Sequence, residues 1–316
     1  MIFSRAIWTL AAPSRLCKPH LHVVAPVPGT RNLENLAVTH DGNVLVTSTS
    51  SPAIHYIHLT GHHESLTIAQ VPGFAAVTGI TETEKDVFYV SSTNLTGDYG
   101  TNAIWKLDLR YFQLRASGEI QRPAVLSLVA NIPDARLLNG MTLLNNVNHK
   151  HILVSDSTAG TIIKVNVDTG KYTTLIQSPV LSPTATGLGI GVNGIRTYDD
   201  RLYFVNLDQG LFASFPISSA GAAVGNVDVI LNGTLQASDD FAISRDGKRA
   251  WIAENGPNIL IEVDIPGKTS HVAANSTVLG STSSVALSQT KRDQNSLYIT
   301  GAGETEGQLV VAECIE

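Results

Sequence analysis

Leu36-Ala37-Val38, the Asp41-Gly42 turn, Val44-Leu45-Val46-Thr47 and Ala53-Ile54-His55-Tyr56-Ile57 decide the fold. Short apolar runs bounded by turn residues read as antiparallel strands. The same order returns down the chain. Thr78-Gly79-Ile80 leads to Asp86–Val90 and Ala103–Leu107, and Gly140–Leu143 leads to His151–Val154 and Thr161–Val165. Gly194–Arg196 leads to Arg201–Val205 and Gly210–Ala213. Phe241–Ile243 leads through Asp246-Gly247 to Ala250–Ala253 and Ile259–Val263, and Ser284–Leu287 leads to Ser296–Ile299 and Gln308–Val311.

These are six copies, at spacings of roughly 42 to 61 residues, the range of propeller blades and above it. Val125–Val129, Tyr172–Ile176 and Val227–Leu231 fit a fourth, outer strand. No amphipathic helical window competes. Radial closure leaves only short sheet edges. The expected fold is therefore an all-β, six-bladed β-propeller, in one domain over 20–316 with an N-terminal extension over 1–19. His20-Leu21-His22-Val23-Val24 is the expected closing strand, paired with the last blade. Such closure would bring Cys17 toward Cys314, and the two cysteines are then either one disulfide or two unrelated thiols. A bond closing so long a loop would contribute about 3–5 kcal/mol in the chain-entropy model.

Composition narrows the function. The 316 residues are 43 % hydrophobic and 15 % charged, with net charge −6. No basic stripe suits a nucleic acid, and no apolar run suits a membrane span. The apolar stretch near Ala6–Ala12, flanked by Arg5 and Arg15, is less clean than a secretory leader. Sequons stand at Asn94, Asn232 and Asn275, so a secretory route stays beside the favoured cytoplasmic one.

Glu34-Asn35, Asn139-Gly140, Asn193-Gly194 and Asp239-Asp240 head four of the repeats. Singly, Asn-Gly and its like are turn dipeptides. Shared at one repeat position, they would converge on the axis. Two carboxylates and two amides offer hard oxygen ligands for Ca²⁺ or Mg²⁺. No thiolate or histidine cluster accompanies them, which excludes a structural zinc at that ring. The Gly187–Gly191 run has no helix pattern after it and is no phosphate loop. His62-His63 reads as a solvated loop pair. Asp156, Asp208 and Glu254 end second strands, where side chains hydrogen-bond the next turn.

Through Glu34–Val38, Leu138–Met141, Val192–Ile195, Asp239–Ser244 and Lys291–Asn295, the chain resembles the senescence marker protein (regucalcin)–gluconolactonase family, related to diisopropyl-fluorophosphatase. The likeness runs from about Leu33 to Val311 and is greatest to a fungal branch. It implies a divalent metal on Glu34, Asn139, Asn193 and Asp239, with Asp239 as base or nucleophile in hydrolytic members and no organic cofactor. One departure is Asp240, where the family has Gly; it would add a ligand, contact substrate or alter the site. The fungal branch includes hetero-Diels–Alderases of tropolone–sesquiterpenoid biosynthesis. That reaction needs oriented apolar partners and donors on the dienone oxygen. Asn139 and Asn193 are the expected donors, with Phe74, Tyr99 and Leu188 covering the terpene. A Ca²⁺-dependent lactonase and a non-catalytic binding propeller are the alternatives.

Overall fold

The computed structural model describes residues 19–59, 65–145, 147, 149–313 and 315. Cys17, Cys314 and the His62-His63 pair lie outside the described residues.

The sheets are those of a six-bladed propeller. Blade 1 is Leu33–Val38, Val44–Ser48, Ala53–Ile57 and Ser65–Gln70, and blade 2 is Ala76–Glu84, Val87–Thr93, Asn102–Asp108 and Val125–Asn131. These two are continuous through a single bridge, Ser48 to Val77. Blade 3 is Leu138–Leu143, His151–Asp156, Thr161–Asn166 and Tyr172–Gln177. Blade 4 is Val192–Tyr198, Arg201–Asn206, Leu211–Pro216 and Asp228–Asn232. Blade 5 is Ser238–Ile243, Arg249–Glu254, Ile259–Asp264 and Thr269–Asn275. Blade 6 combines Ser284–Leu287, Ser296–Ala302 and Gly307–Glu313 with the N-terminal strand His20–Val27. That strand pairs antiparallel with Gly307–Glu313, His20 opposite Glu313 and Val27 opposite Gly307, so the expected closure is present.

Alternation builds the ring. Successive strand residues face opposite sides of a sheet, and each blade packs a neighbour on both sides. Val44 and Val46 join the apolar cluster shared with blade 6, while Leu45 joins the one shared with blade 2. Six such clusters, one per pair of adjacent blades, carry the core around the circle. This two-sided burial is why the second strands read as unbroken apolar runs rather than alternating ones.

The blade-head dipeptides are not turns. Each lies inside an innermost strand, in a β-bulge at one recurring place: Glu34-Asn35, Thr78-Gly79, Asn139-Gly140, Asn193-Gly194 and Asp239-Asp240 each interrupt the ladder of blades 1 to 5. Bulges re-aim side chains and sharpen the local twist. They also bring neighbouring inner strands within backbone contact. A Cβ on Gly79 would sit 2.0 Å from the Asn139 carbonyl oxygen, and one on Gly140 would sit 2.4 Å from that of Asn193.

Buried hydroxyls stitch the same places together. Thr47 donates to the Thr78 carbonyl at 2.6 Å, Ser155 to Asn193 at 2.7 Å and Thr300 to Glu34 at 2.6 Å. These bonds satisfy carbonyls that the bulges free from the ladder. Gly140→Ala is expected to lower stability by about 2–3 kcal/mol, because both strands it would push apart are backbone. The denaturant midpoint against the parent chain measures this.

Candidate functional site

Four of the five bulges bring their first residue, Glu34, Asn139, Asn193 or Asp239, to one place near the strand's start, while Thr78 of the fifth bonds Ser91 and the Leu138 carbonyl instead. The strand starts are themselves pinned. Glu254 accepts from the Gln236 and Ala237 amides at 2.7 and 2.9 Å, fixing the strand that carries Asp239. Asp156 accepts from Arg136 and Leu137 at 2.8 and 3.0 Å, fixing the strand that carries Asn139. Asp208 accepts from Leu188 and Gly189 at 2.8 and 3.1 Å, so the glycine-rich run is a loop tied to a carboxylate. All three hold backbone amides, but of the loop that leads into their blade's first strand rather than of the next turn; Asp156 alone also accepts from the following turn, at Ala159.

Glu34, Asn139, Asn193 and Asp239 come together at one mouth of the channel, and all four are buried. The Asn193 amide donates to Asp239 Oδ1 at 2.7 Å, and Asn139 hydrogen-bonds Glu34. Asn255 donates to Asp239 Oδ2 at 2.8 Å. Burial first, then the charges of Asp239 and Asp240, push the Glu34 carboxyl well above the usual range. Burial likewise raises Asp239, to about 7, against the lowering effect of its two amide donors. Two acids in one dry site disfavour each other's ionisation.

A divalent cation suits this donor set. It would hold both carboxylates ionised, and it would use the buried Asn139 Oδ1, which has no hydrogen-bond partner. Oxygen donors of this kind fit Ca²⁺ or Mg²⁺. The amides are necessary to such a site, because among the described residues the mouth holds no tight three-acid cluster.

Asp240 stands apart from the ring. Its Oδ2 accepts from Arg196 Nη2 at 2.6 Å and from Ser284 Oγ at 2.5 Å, and its side chain is 2 % exposed. Arg196 also lies over the Phe241 ring, 5.7 Å from its centroid. The carboxylate that replaces glycine thus links blades 4, 5 and 6. Beyond it, a cavity of about 290 Å³ follows the channel, lined by Leu36, Ile80, Met141, Arg196, Ile243 and Leu287 among others.

The three expected substrate-lining residues occupy loops on the face where the inner strands begin. Tyr99 is 67 % and Leu188 78 % exposed, joined there by Leu95 at 44 %. Arg136 steadies Tyr99 from 5.8 Å and donates to the Gly97 carbonyl. Phe74 is half-buried and packs edge-on against Trp105, 6.4 Å between centroids. The sequence pattern does not single out Asn255, Arg196 or Ser284. Asn255 is disguised by the Asn255-Gly256-Pro257 turn. Arg196 is the one cation at its repeat position, where blades 1, 2, 3 and 5 have Ala37, Thr81, Thr142 and Ala242.

The fold and site define a six-bladed propeller with an acid–amide mouth. Among known proteins, the chain is similar, as a distant homologue, to a Phoma sp protein named "Putative hetero-Diels-Alderase". The two are 26 % identical over 93 % of this chain and 88 % of that one. Its structure is similar to the calcium-binding protein regucalcin of Agrobacterium tumefaciens, with a TM-score of 0.64 and 17 % identity, over 94 % of this chain and 93 % of that one. It is also similar to a Bacteroides thetaiotaomicron protein of unknown function, with a TM-score of 0.68 and 12 % identity, over 93 % and 76 % of the two chains. No family model matches the chain. Among the described residues, no helix is long and apolar enough to cross a membrane.

Two outcomes follow from this geometry. Arg196→Met strands the buried Asp240 charge and should cost about 3–5 kcal/mol in chemical denaturation. Arg196→Met with Asp240→Gly, which restores the glycine of blades 2, 3 and 4, should recover most of it. Titration gives the second. Because the Asp239 pKa is raised on folding, its contribution to stability is full below the ordinary carboxylate range and is lost as pH rises through about 7. Ca²⁺ selects the ionised acids and competes with protons. The rise in melting temperature that Ca²⁺ produces should therefore grow with pH through that same range and be absent in Glu34→Gln.

Proposed function

We propose that residues 20–316 act as one propeller domain. In this reading the chain is a secondary-metabolic enzyme that binds a small, largely apolar substrate at the polar mouth. The reaction assigned is the intermolecular hetero-Diels–Alder cyclisation of a tropolone quinone methide with a humulene-type sesquiterpene. One observation carries this reading: a buried ring with amide donors lies at the starts of the inner strands, on the side whose loops expose Leu95, Tyr99 and Leu188. The name of the Phoma relative supports the reaction class.

The chemistry asks little of side chains as reactants. One C–C and one C–O bond form while the π bonds of the oxadiene and the olefin shift. No proton leaves, and no oxidant or nucleophile enters. Asn139 and Asn193 each give one N–H to a carboxylate and have a second. Those second N–H groups stabilise the dienone oxygen as electron density builds on it. Tyr99 and Leu188 hold the terpene against the diene, and orientation lowers the barrier further. The channel cavity, about 290 Å³, is at the lower limit of ligand pockets. This favours the mouth as the place where two partners meet. Glu34, Asn139, Asn193 and Asp239 would hold a divalent cation, which when bound supplies Lewis acidity at the same mouth.

A second reading, a Ca²⁺-dependent lactonase, is favoured by Asp239. The hydrogen bonds it accepts from Asn193 and Asn255 orient it, and its pKa of about 7 suits a general base. The experiment separates the readings. Purified protein with the quinone methide and olefin should give the cycloadduct faster and with fixed stereochemistry, and this should persist under EDTA. Asn139→Ala with Asn193→Ala should slow it about 100-fold. Lactone hydrolysis abolished by EDTA and by Asp239→Asn, with no cycloadduct formed, would establish the lactonase instead. Binding without turnover of either substrate would leave a ligand-binding propeller.

A further inference from the structure

The closure seam carries a second constellation, on the outer rim of blade 6 and remote from the mouth. His20 and His22 are two residues apart on His20–Val27, so both side chains leave the same face of the strand. The antiparallel register sets Glu313 directly opposite His20. One ligand atom from each of His20, His22 and Glu313 lies within 4.8 Å of the others. His20 Nδ1 stands 3.8 Å from Glu313 Oε2, and the two imidazoles are 5.6 Å apart between centroids, tilted by 45°.

We propose that His20, His22 and Glu313 form a binding site for a divalent transition ion, with Zn²⁺ the best match. Two neutral imidazole nitrogens and one carboxylate oxygen are a borderline donor set, suited to Zn²⁺ rather than to the Ca²⁺ or Mg²⁺ that an all-oxygen mouth would take. Bonds of about 2.0–2.2 Å place the donors of a tetrahedral site about 3.3 Å apart. The observed separations, 3.8 Å between His20 Nδ1 and Glu313 Oε2 and at most 4.8 Å for the rest, are wider than that. All three side chains are exposed, so small rotations close the remainder without disturbing the core. Three protein ligands leave the fourth position to water or to a ligand from outside.

Placement gives the site its consequence. His20–Val27 is the first strand of the described chain and Gly307–Glu313 the last, and their pairing closes the circle. An ion held by His20, His22 and Glu313 ties those strands together. It binds the closed propeller more tightly than an open one, because opening takes Glu313 away from the two histidines. By linkage it stabilises the closed form.

The test uses the full chain with Cys17→Ser and Cys314→Ser, so that no thiolate takes the ion, and with excess Ca²⁺ present to occupy the mouth. Zn²⁺ is titrated by calorimetry and Co²⁺ by its visible absorption. One equivalent should bind, with a tetrahedral cobalt spectrum, and Zn²⁺ should raise the melting temperature. His20→Ala with His22→Ala should weaken binding by more than about 100-fold, since losing a ligand costs at least as much as losing the group behind it. That variant should also lose the Zn²⁺-dependent rise, and Glu34→Gln should keep both. Equal Zn²⁺ affinity in the histidine variant would overturn the site. So would the absence of Co²⁺ uptake by the parent chain at millimolar metal.

Discussion

Everything at the axis depends on how closely the inner strands approach one another. Gly79 and Gly140 sit against the carbonyls of Asn139 and Asn193, and Gly194 lies against Asp240, with no room for a side chain. Strands held at that distance need their displaced carbonyls satisfied from elsewhere. Thr47, Ser155 and Thr300 supply the hydroxyls. The five bulges follow from the same constraint, because an undisturbed ladder would point the residues of the mouth elsewhere.

The mouth uses that rigidity to keep two acids where they disfavour each other. Asp239 is held by Asn193 and Asn255, and Glu34 by Asn139, so neither turns away to solvent. A site of this kind is preorganised for a positive charge or for a polar atom that gains electron density. Asp240 carries a third charge close by, and the Arg196 pair confines it. Desolvating both partners makes such a pair a weak source of stability and a strong source of position.

Much of the blade pattern was legible because it is local. Apolar runs such as Val44–Thr47 and Leu202–Val205 lie buried on both faces, each entered from a polar turn, Asp41-Gly42 and Asp199-Asp200. The outer strands Ser65–Gln70 and Thr269–Asn275 carry mixed polar side chains at the rim and gave no comparable signal. Neither did the small hairpin Gln113–Leu114 with Ile120–Arg122, an insertion within blade 2. The mouth residues are legible in the sequence through their shared repeat position, which stands in for proximity when blades close in a circle.

By itself the sequence determined the number of blades, their closure through His20–Val27, and the residue types facing the axis. These follow from periodicity, which neighbouring residues set between themselves. Only the tertiary structure decided that the Asn-Gly and Asp-Asp steps are bulges, that Asp240 pairs with Arg196 of the preceding blade and Ser284 of the next, and that Asn255 steadies Asp239. It likewise set His20 and His22 beside Glu313 at the seam. Those contacts depend on the angle and spacing of blades around an axis, a property of the closed ring that no single repeat contains.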